Sequence, residues 1–307
     1  MNATPMNKLV RFACQAAALA ACALHGVDSF AQDAATPRQA RTDDVGDLGF
    51  SYFLGLGGQT ASYREYSDSQ PVRSRATTTS PLIVSGALYA INRDVLFSLG
   101  NQTTFAPGST TETWSATASA INGHALTDSV VQRNGFSLSQ NTTQLLGHYR
   151  VAGDWFVVAG PSLHSQTFKR YSFAEGADAV VTLPTDKTIE ESTDEVLANV
   201  GVALDSARVR GQDSHYGLRA VLALPVWSRT SNTEYPGVNF KSQSGYDLSL
   251  EGRYSWAVFR DIHAGLWGQW MTSDRHRSTL SSGGSTLELP ENRLTTFSYG
   301  IELLWKL

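Results

Sequence analysis

At 307 residues, 41% of them apolar and 17% charged, the chain is long enough for one large domain or two ordinary ones. Its 24 basic and 28 acidic residues give a net charge of −4 with no basic block, which excludes nucleic acid as a partner. Both cysteines, Cys14 and Cys22, fall near the N-terminus, so the rest of the chain has neither a disulfide framework nor a thiolate metal site.

Lys8 and Arg11 precede an apolar run from Phe12 to Leu24, and Ser29-Phe30-Ala31 has the small-x-small form of a signal-peptidase site. Residues 1–31 therefore read as a secretory signal peptide cut after Ala31. Its apolar core is shorter than the roughly twenty residues a spanning helix needs. Leu19-Ala20-Ala21-Cys22 resembles a lipobox and offers a rival reading, lipidation at Cys22. Residues 32–46 have no periodicity and read as a flexible periplasmic lead-in to a domain over 47–307.

From Asp47 onward ten segments alternate apolar and polar residues, the signature of strands with two unlike faces. The first carries Phe50, Tyr52, Leu54 and Leu56 on one face; the second, Ser80 to Ile91, is apolar on both. The third shows Val95, Phe97 and Leu99; the fourth, Leu145, Gly147, Tyr149 and Val151; the fifth, Trp155 to Leu163; the sixth, Val196 to Leu204. The seventh runs from Tyr216 to Val226. The eighth sets Tyr246, Leu248, Leu250, Tyr254 and Trp256 against Asp247, Ser249, Glu251, Arg253 and Ser255. The ninth has Ile262, Ala264, Leu266 and Trp270 on one face. The tenth alternates Phe297, Tyr299, Ile301, Leu303, Trp305 and Leu307 with mostly small or polar residues.

Two kinds of link join them. Short polar ones occur at Ile91–Asp94, Val151–Asp154, Arg208–Asp213 and Val258–Asp261. Long ones centre on Gln70-Pro71, Asn122-Gly123, the neighbourhood of Val180, Tyr235-Pro236 and Gly283-Gly284. Asn-Gly is a strong signal for a two-residue hairpin turn. Short turns on one side, long loops on the other and an even strand number predict an all-β transmembrane antiparallel up-and-down barrel of ten strands with long extracellular hairpins. Closure leaves no edge, which a bilayer demands. Tyr89, Tyr149, Trp155, Tyr254, Trp256, Phe259 and Trp305 gather at the short-turn ends, where an interfacial girdle belongs. A soluble barrel or sandwich would use the same alternation with the apolar face inward; the leader, loop asymmetry and aromatic placement favour the membrane.

The tail resembles the C-terminal β-signal of Gram-negative outer-membrane barrels, with Gly300, Leu303, Trp305 and the terminal Leu307 in the matching places, although family members commonly end on Phe or Trp. That resemblance implies outer-membrane lipids and lipopolysaccharide as surroundings, and periplasmic chaperones and the barrel-assembly machinery as partners. A strand crosses the bilayer in about 9–11 residues, yet each arm here is nearer twenty, so the wall should rise some ~20–30 Å beyond the membrane. Length and strand count resemble the omptin proteases and the ten-stranded neisserial adhesins.

The omptin pattern needs an aspartate pair facing an Asp–His pair on the outer side. Asp274 and His276 have the second spacing and Asp213 and His215 have it at the periplasmic end, but the first pair has no match, so no catalytic residues are assigned. Ser162, His164 and Ser165 do not form the lipid-facing His-x-Ser of outer-membrane lipid hydrolases. The seven histidines are scattered and no metal site or cofactor is expected. Inward charge is the strongest signal. Arg150, Arg219, Asp247, Glu251, Arg253 and Glu302 should pair across a narrow lumen, with Arg219, Glu251, Arg253 and Glu302 at the centre. The functional expectation is a surface-exposed structural or adhesive barrel, or a narrow channel for a small solute, with an outer-membrane hydrolase, protease or lipid-modifying, as the alternative. A small solute or a host-surface molecule would be its ligand.

Overall fold

A computed structural model describes residues 49–306 apart from 68–70, 122, 177–185, 206–213, 242, 260 and 283–284. The signal peptide, Cys22, the lead-in, Leu307, the link from Arg208 to Asp213 and the loop centres at Gln70, Asn122, Val180, Gly283 and Gly284 lie outside the described residues.

Sixteen strands follow one another: β1 (Phe50–Ser67), β2 (Val72–Ala90), β3 (Val95–Thr104), β4 (Ser109–Ala116), β5 (Ala120–Ile121), β6 (His124–Ala125), β7 (Val130–Ala152) and β8 (Trp155–Glu175), then β9 (Thr188–Asp205), β10 (Ser214–Asn232), β11 (Asn239–Lys241), β12 (Gly245–Phe259), β13 (Ile262–Arg275), β14 (Ser278–Ser282), β15 (Ser285–Leu289) and β16 (Glu291–Lys306). Ten of them form an antiparallel ring, β1-β2-β3-β7-β8-β9-β10-β12-β13-β16, which closes where β16 pairs with β1 from Ser51↔Lys306 to Tyr66↔Glu291. Closure satisfies the backbone groups that lipid cannot.

The long third-to-fourth link, centred on Asn122-Gly123, is mostly wall. β4 continues the line of β3, pairing like it with β2 and β7. Between them the chain breaks at Pro107, which has no N–H to give the ladder, and Ala106 takes a left-handed φ of 46°. Thr78 Oγ1 donates to Gly108 O at 2.9 Å and Gly108 N donates to Ser80 Oγ at 3.0 Å, stitching the break to β2. Only residues 117–129 project, around the β5–β6 hairpin, where Ile121 pairs with His124 and Gly123 has the positive φ of 81° a tight turn needs.

Outward apolar residues form a band: Tyr52 to Leu56 on β1, Trp155 to Leu163 on β8, Val196 to Leu204 on β9, Ile262 to Trp270 on β13 and Phe297 to Trp305 on β16. Leu218, Ile301 and Val226 are 57%, 64% and 66% exposed, large apolar groups that water would not tolerate in such density. The nine residues of the band on each of β8, β9, β13 and β16 match a bilayer crossing. Above the band the outer face turns to Ser, Thr and Arg: Thr60 meets Thr79, Thr167 meets Ser192 and Thr272 meets Thr295 in cross-strand hydroxyl contacts of 3.0–3.3 Å.

The tube is not uniformly polar. Where the outside becomes wet, the inside becomes oily: Ala61, Tyr63, Ala76, Phe136, Leu138, Phe168 and Leu294 form a buried cluster in the upper barrel. Deeper, Leu146, Phe156, Val158, Ala203 and Val221 form a second, and Trp267 packs on Leu82 and Val84. That explains a second strand apolar on both faces, with Ile83 outward and Leu82 and Val84 inward.

Trp267 has room because Gly55 carries no side chain, since a Cβ there would lie 3.0 Å from Trp267 Nε1. Gly57 and Gly300, direct partners across the closing seam, let the two backbones approach. A Cβ on Gly57 would lie 2.0 Å from Tyr299 O and one on Gly300 2.2 Å from Leu56 O.

Candidate functional site

The inward faces carry three tiers of charge. The outermost lies just beyond the Tyr63–Phe136–Phe168 rings, where β1, β4 and β8 bring Glu65, Glu112 and Arg170 together. Arg170 Nη2 donates to Glu65 Oε2 at 2.6 Å and Nε donates to Glu112 Oε2 at 2.8 Å. Its guanidinium also sits over the Trp114 and Tyr63 rings at 5.4 and 5.8 Å. Tyr63 Oη donates to Glu65 at 2.7 Å, and Asn134 Nδ2 donates to Glu112 at 2.9 Å.

All of these but Trp114 are buried, and the Glu112 side chain is 0% exposed. Burial alone would raise the Glu112 carboxyl, but the Arg170 charge and its hydrogen bonds outweigh burial and hold it below the usual carboxylate range. Glu191, reached by Asn232 Nδ2 at 3.1 Å, is pushed up to about 7 by burial and then by the Glu65 charge. Burial and the neighbouring Glu65 drive the Tyr63 phenol well above its ordinary value.

The second tier is a fork at the upper edge of the lipid band. Arg275 Nε and Nη2 donate to the two Glu195 oxygens at 2.7 and 2.6 Å. Arg275 Nη1 also stands 2.6 Å from Asp247 Oδ1, a second ion pair.

The third tier lies within the membrane. Arg219 Nη2 donates to Glu251 Oε2 at 2.8 Å, Arg253 Nε to Glu251 Oε1 at 2.7 Å, and Arg253 Nη1 to Glu302 Oε2 at 2.6 Å. Arg253 also covers the Phe53 ring at 4.2 Å. A cavity of about 190 Å³ adjoins this chain, lined among others by Gln144, Asn199 and Gln269.

Of the six lumen residues expected from sequence, Arg219, Glu251, Arg253 and Glu302 form one connected chain. Asp247 joins Arg275 instead, and Arg150 lies over the Phe156 ring at 5.6 Å. Glu65, Glu112, Glu191, Glu195 and Arg275 were missed. Alternation pointed Glu195 and Arg275 inward on β9 and β13, whereas Glu112 fell in a stretch expected to be loop.

The remaining candidates sit apart. Asp274 faces outward on β13 and is held by Arg293, whose Nε donates to it at 2.9 Å; His276 Nδ1 is 3.2 Å from Ser244 Oγ. His164 points into the lumen, its Nδ1 2.8 Å from Thr142 Oγ1. The rings of His215 and His263 meet near the periplasmic end, tilted at 40° with centroids 4.4 Å apart. Gly300, Leu303 and Trp305 lie on the closing strand, Leu303 and Trp305 outward. Among the described residues no group of three or more His, Cys, Asp or Glu is placed to hold a metal ion.

A closed ten-stranded ring with an outward apolar band and a filled interior is the fold of an outer-membrane β-barrel. Among solved structures it is similar to the outer membrane protease OmpT from Escherichia coli, with 9% identity and a TM-score of 0.58 over 85% of this chain and 98% of that one. Neisserial surface protein A matches with 12% identity and a TM-score of 0.30, covering 82% of this chain and 95% of that one. OprG from Pseudomonas aeruginosa matches with 11% identity and a TM-score of 0.32, covering 85% and 97%. At such identities the likeness to OmpT is one of fold. No protein-family model and no curated protein matches the chain.

Proposed function

We propose that the protein is a sealed, surface-exposed barrel whose tall outer wall and hairpins are its working face, a structural or adhesive element rather than a pore. One observation carries this: the lumen is filled by the aromatic cluster at Tyr63, Phe136 and Phe168 and by Arg170 clamped between Glu65 and Glu112. A buried network with its members paired is rigid, and opening it would strand charges at a cost of several kcal/mol, about 3–5 for one lost partner.

A second reading, a narrow path for a small solute, is favoured by the cavity beside Glu251 and Arg253. OmpT is an outer membrane protease. A hydrolase reading of the present chain has only Asp274 and His276, which are tied to Arg293 and Ser244 on the outer wall. Assembly through periplasmic chaperones and the barrel-assembly machinery, with Gly300, Leu303, Trp305 and Leu307 as the recognised tail, belongs to the same proposal, as do lipopolysaccharide as neighbour and a host-surface molecule as ligand.

Proteoliposomes carrying the purified protein test the sealed reading by osmotic swelling in sugars and amino acids. No swelling above that of empty liposomes is expected. Swelling that depends on solute size would favour the solute path instead.

A further inference from the structure

Above the lipid band the outer wall of β16, β1 and β2 carries arginines in register. Arg293 stands directly opposite Arg64, and Arg64 directly opposite Arg75; Arg73 lies one outward position further along β2. All four are exposed. Neighbouring strands are only about 4.8 Å apart, and like charges directly opposite one another destabilise a sheet.

Counter-charge is sparse. Asp274 occupies Arg293 through hydrogen bonds of 2.9 and 2.5 Å. Glu291 lies one outward position from Arg293, opposite Tyr66. Among the described residues no ion pair joins Arg64, Arg73 or Arg75 to a carboxylate. Among the described residues the strip therefore keeps a net positive charge, made of forks that match sulfate and carboxylate groups two oxygens at a time.

Spacing narrows the occupant. Phe297, the outermost lipid-facing residue of β16, pairs with Thr60, so Arg64 and Arg293 stand four positions beyond the band. At roughly 3.3 Å per residue and a tilt of about 40°, that is about 10 Å above the lipid boundary. A ligand that meets arginines on three neighbouring strands has to present several anionic groups along an extended chain.

We propose that this strip docks an anionic polysaccharide, its acidic groups lying across Arg293, Arg64 and Arg75. The inference rests on the proposed function in one respect, that the upper wall is a cell-surface face.

Full-length protein in detergent is passed over immobilised heparin, hyaluronan and neutral dextran. Heparin should retain it at low salt and release it as salt rises, while dextran should not retain it. The Arg64→Gln, Arg75→Gln double variant should bind heparin about tenfold more weakly or worse, the loss of two charge-assisted contacts. Arg229→Gln, on β10 away from the strip, should bind as the parent does. The double variant should also unfold at no lower urea concentration than the parent, since it relieves a like-charge contact. Failure of the parent to bind heparin, equal retention on dextran, undiminished binding by the double variant, or an equal loss in Arg229→Gln would each overturn the proposal. Swelling of proteoliposomes reports on the sealed lumen separately, so neither result stands in for the other.

Discussion

Replacing Arg170 by Met is the sharpest probe of the upper lumen. Met keeps much of the aliphatic stem between Tyr63 and Trp114, so the loss is one of charge more than volume. Two carboxylates then lose their cation: Glu112, fully buried, and Glu65, 9% exposed in its side chain. Breaking one buried pair typically costs about 3–5 kcal/mol, and protonation of the orphaned carboxyls caps the total near the top of that range. The proton also gives the cost a direction with pH. Glu112 is held low by Arg170, so its contribution is present above the unfolded carboxylate range and is lost as pH falls through the depressed folded value. Without that cation burial raises the Glu112 carboxyl, so the variant's native state takes up a proton as pH falls and its deficit should shrink on acidification. Urea unfolding in detergent micelles, followed by tryptophan fluorescence at pH 8 and pH 4.5, measures both effects. A deficit under about 1 kcal/mol at pH 8, or one that does not fall at pH 4.5, would refute the reasoning. Replacing Glu65, Glu112 and Arg170 together by apolar residues should cost far less than Arg170→Met alone.

Glu191 should show the opposite pH dependence. Its folded value, about 7, lies above the usual carboxylate range, so the native state holds a proton that the unfolded chain has released. Its stability contribution is complete below the unfolded value and declines as pH rises through about 7, by up to about 3 kcal/mol; Glu191→Gln should flatten that slope in the same unfolding assay. Gly300→Val would drive a side chain into the Leu56 carbonyl across the closing seam. The heat-modifiable folded band on gels should fall sharply in yield, and normal yield would show that the seam can spread.

Alternation was readable only where the two sides of the wall differ in solvent. Between Phe297 and Trp305, lipid outside and charge inside give a contrast that any reader of the chain can follow, and Arg219, Glu251, Arg253 and Glu302 emerged from it. Beyond Leu56 or Leu163 the outside is water, so Thr60, Ser62 and Thr167 replace the oily residues, while Tyr63 and Phe168 move inside. The period of two survives but its meaning reverses, and the Glu65–Arg170–Glu112 tier lies in that reversed zone. Glu112 was hidden for a second reason: it falls in the long third-to-fourth link, where two hydrogen bonds to β2 carry the chain across the break at Pro107 and β4 resumes the wall. Which cation each carboxylate takes was not legible either, since Asp247 and Glu195 meet Arg275 only through register across the tube.

Single-channel recording in planar bilayers addresses the sealed lumen most directly. Protein inserted from detergent should add no stepwise conductance, and Trp267→Ala, which empties the space against Leu82 and Val84, should raise current or its noise above the parent. Stable, long-lived open steps from the unaltered protein would contradict the account.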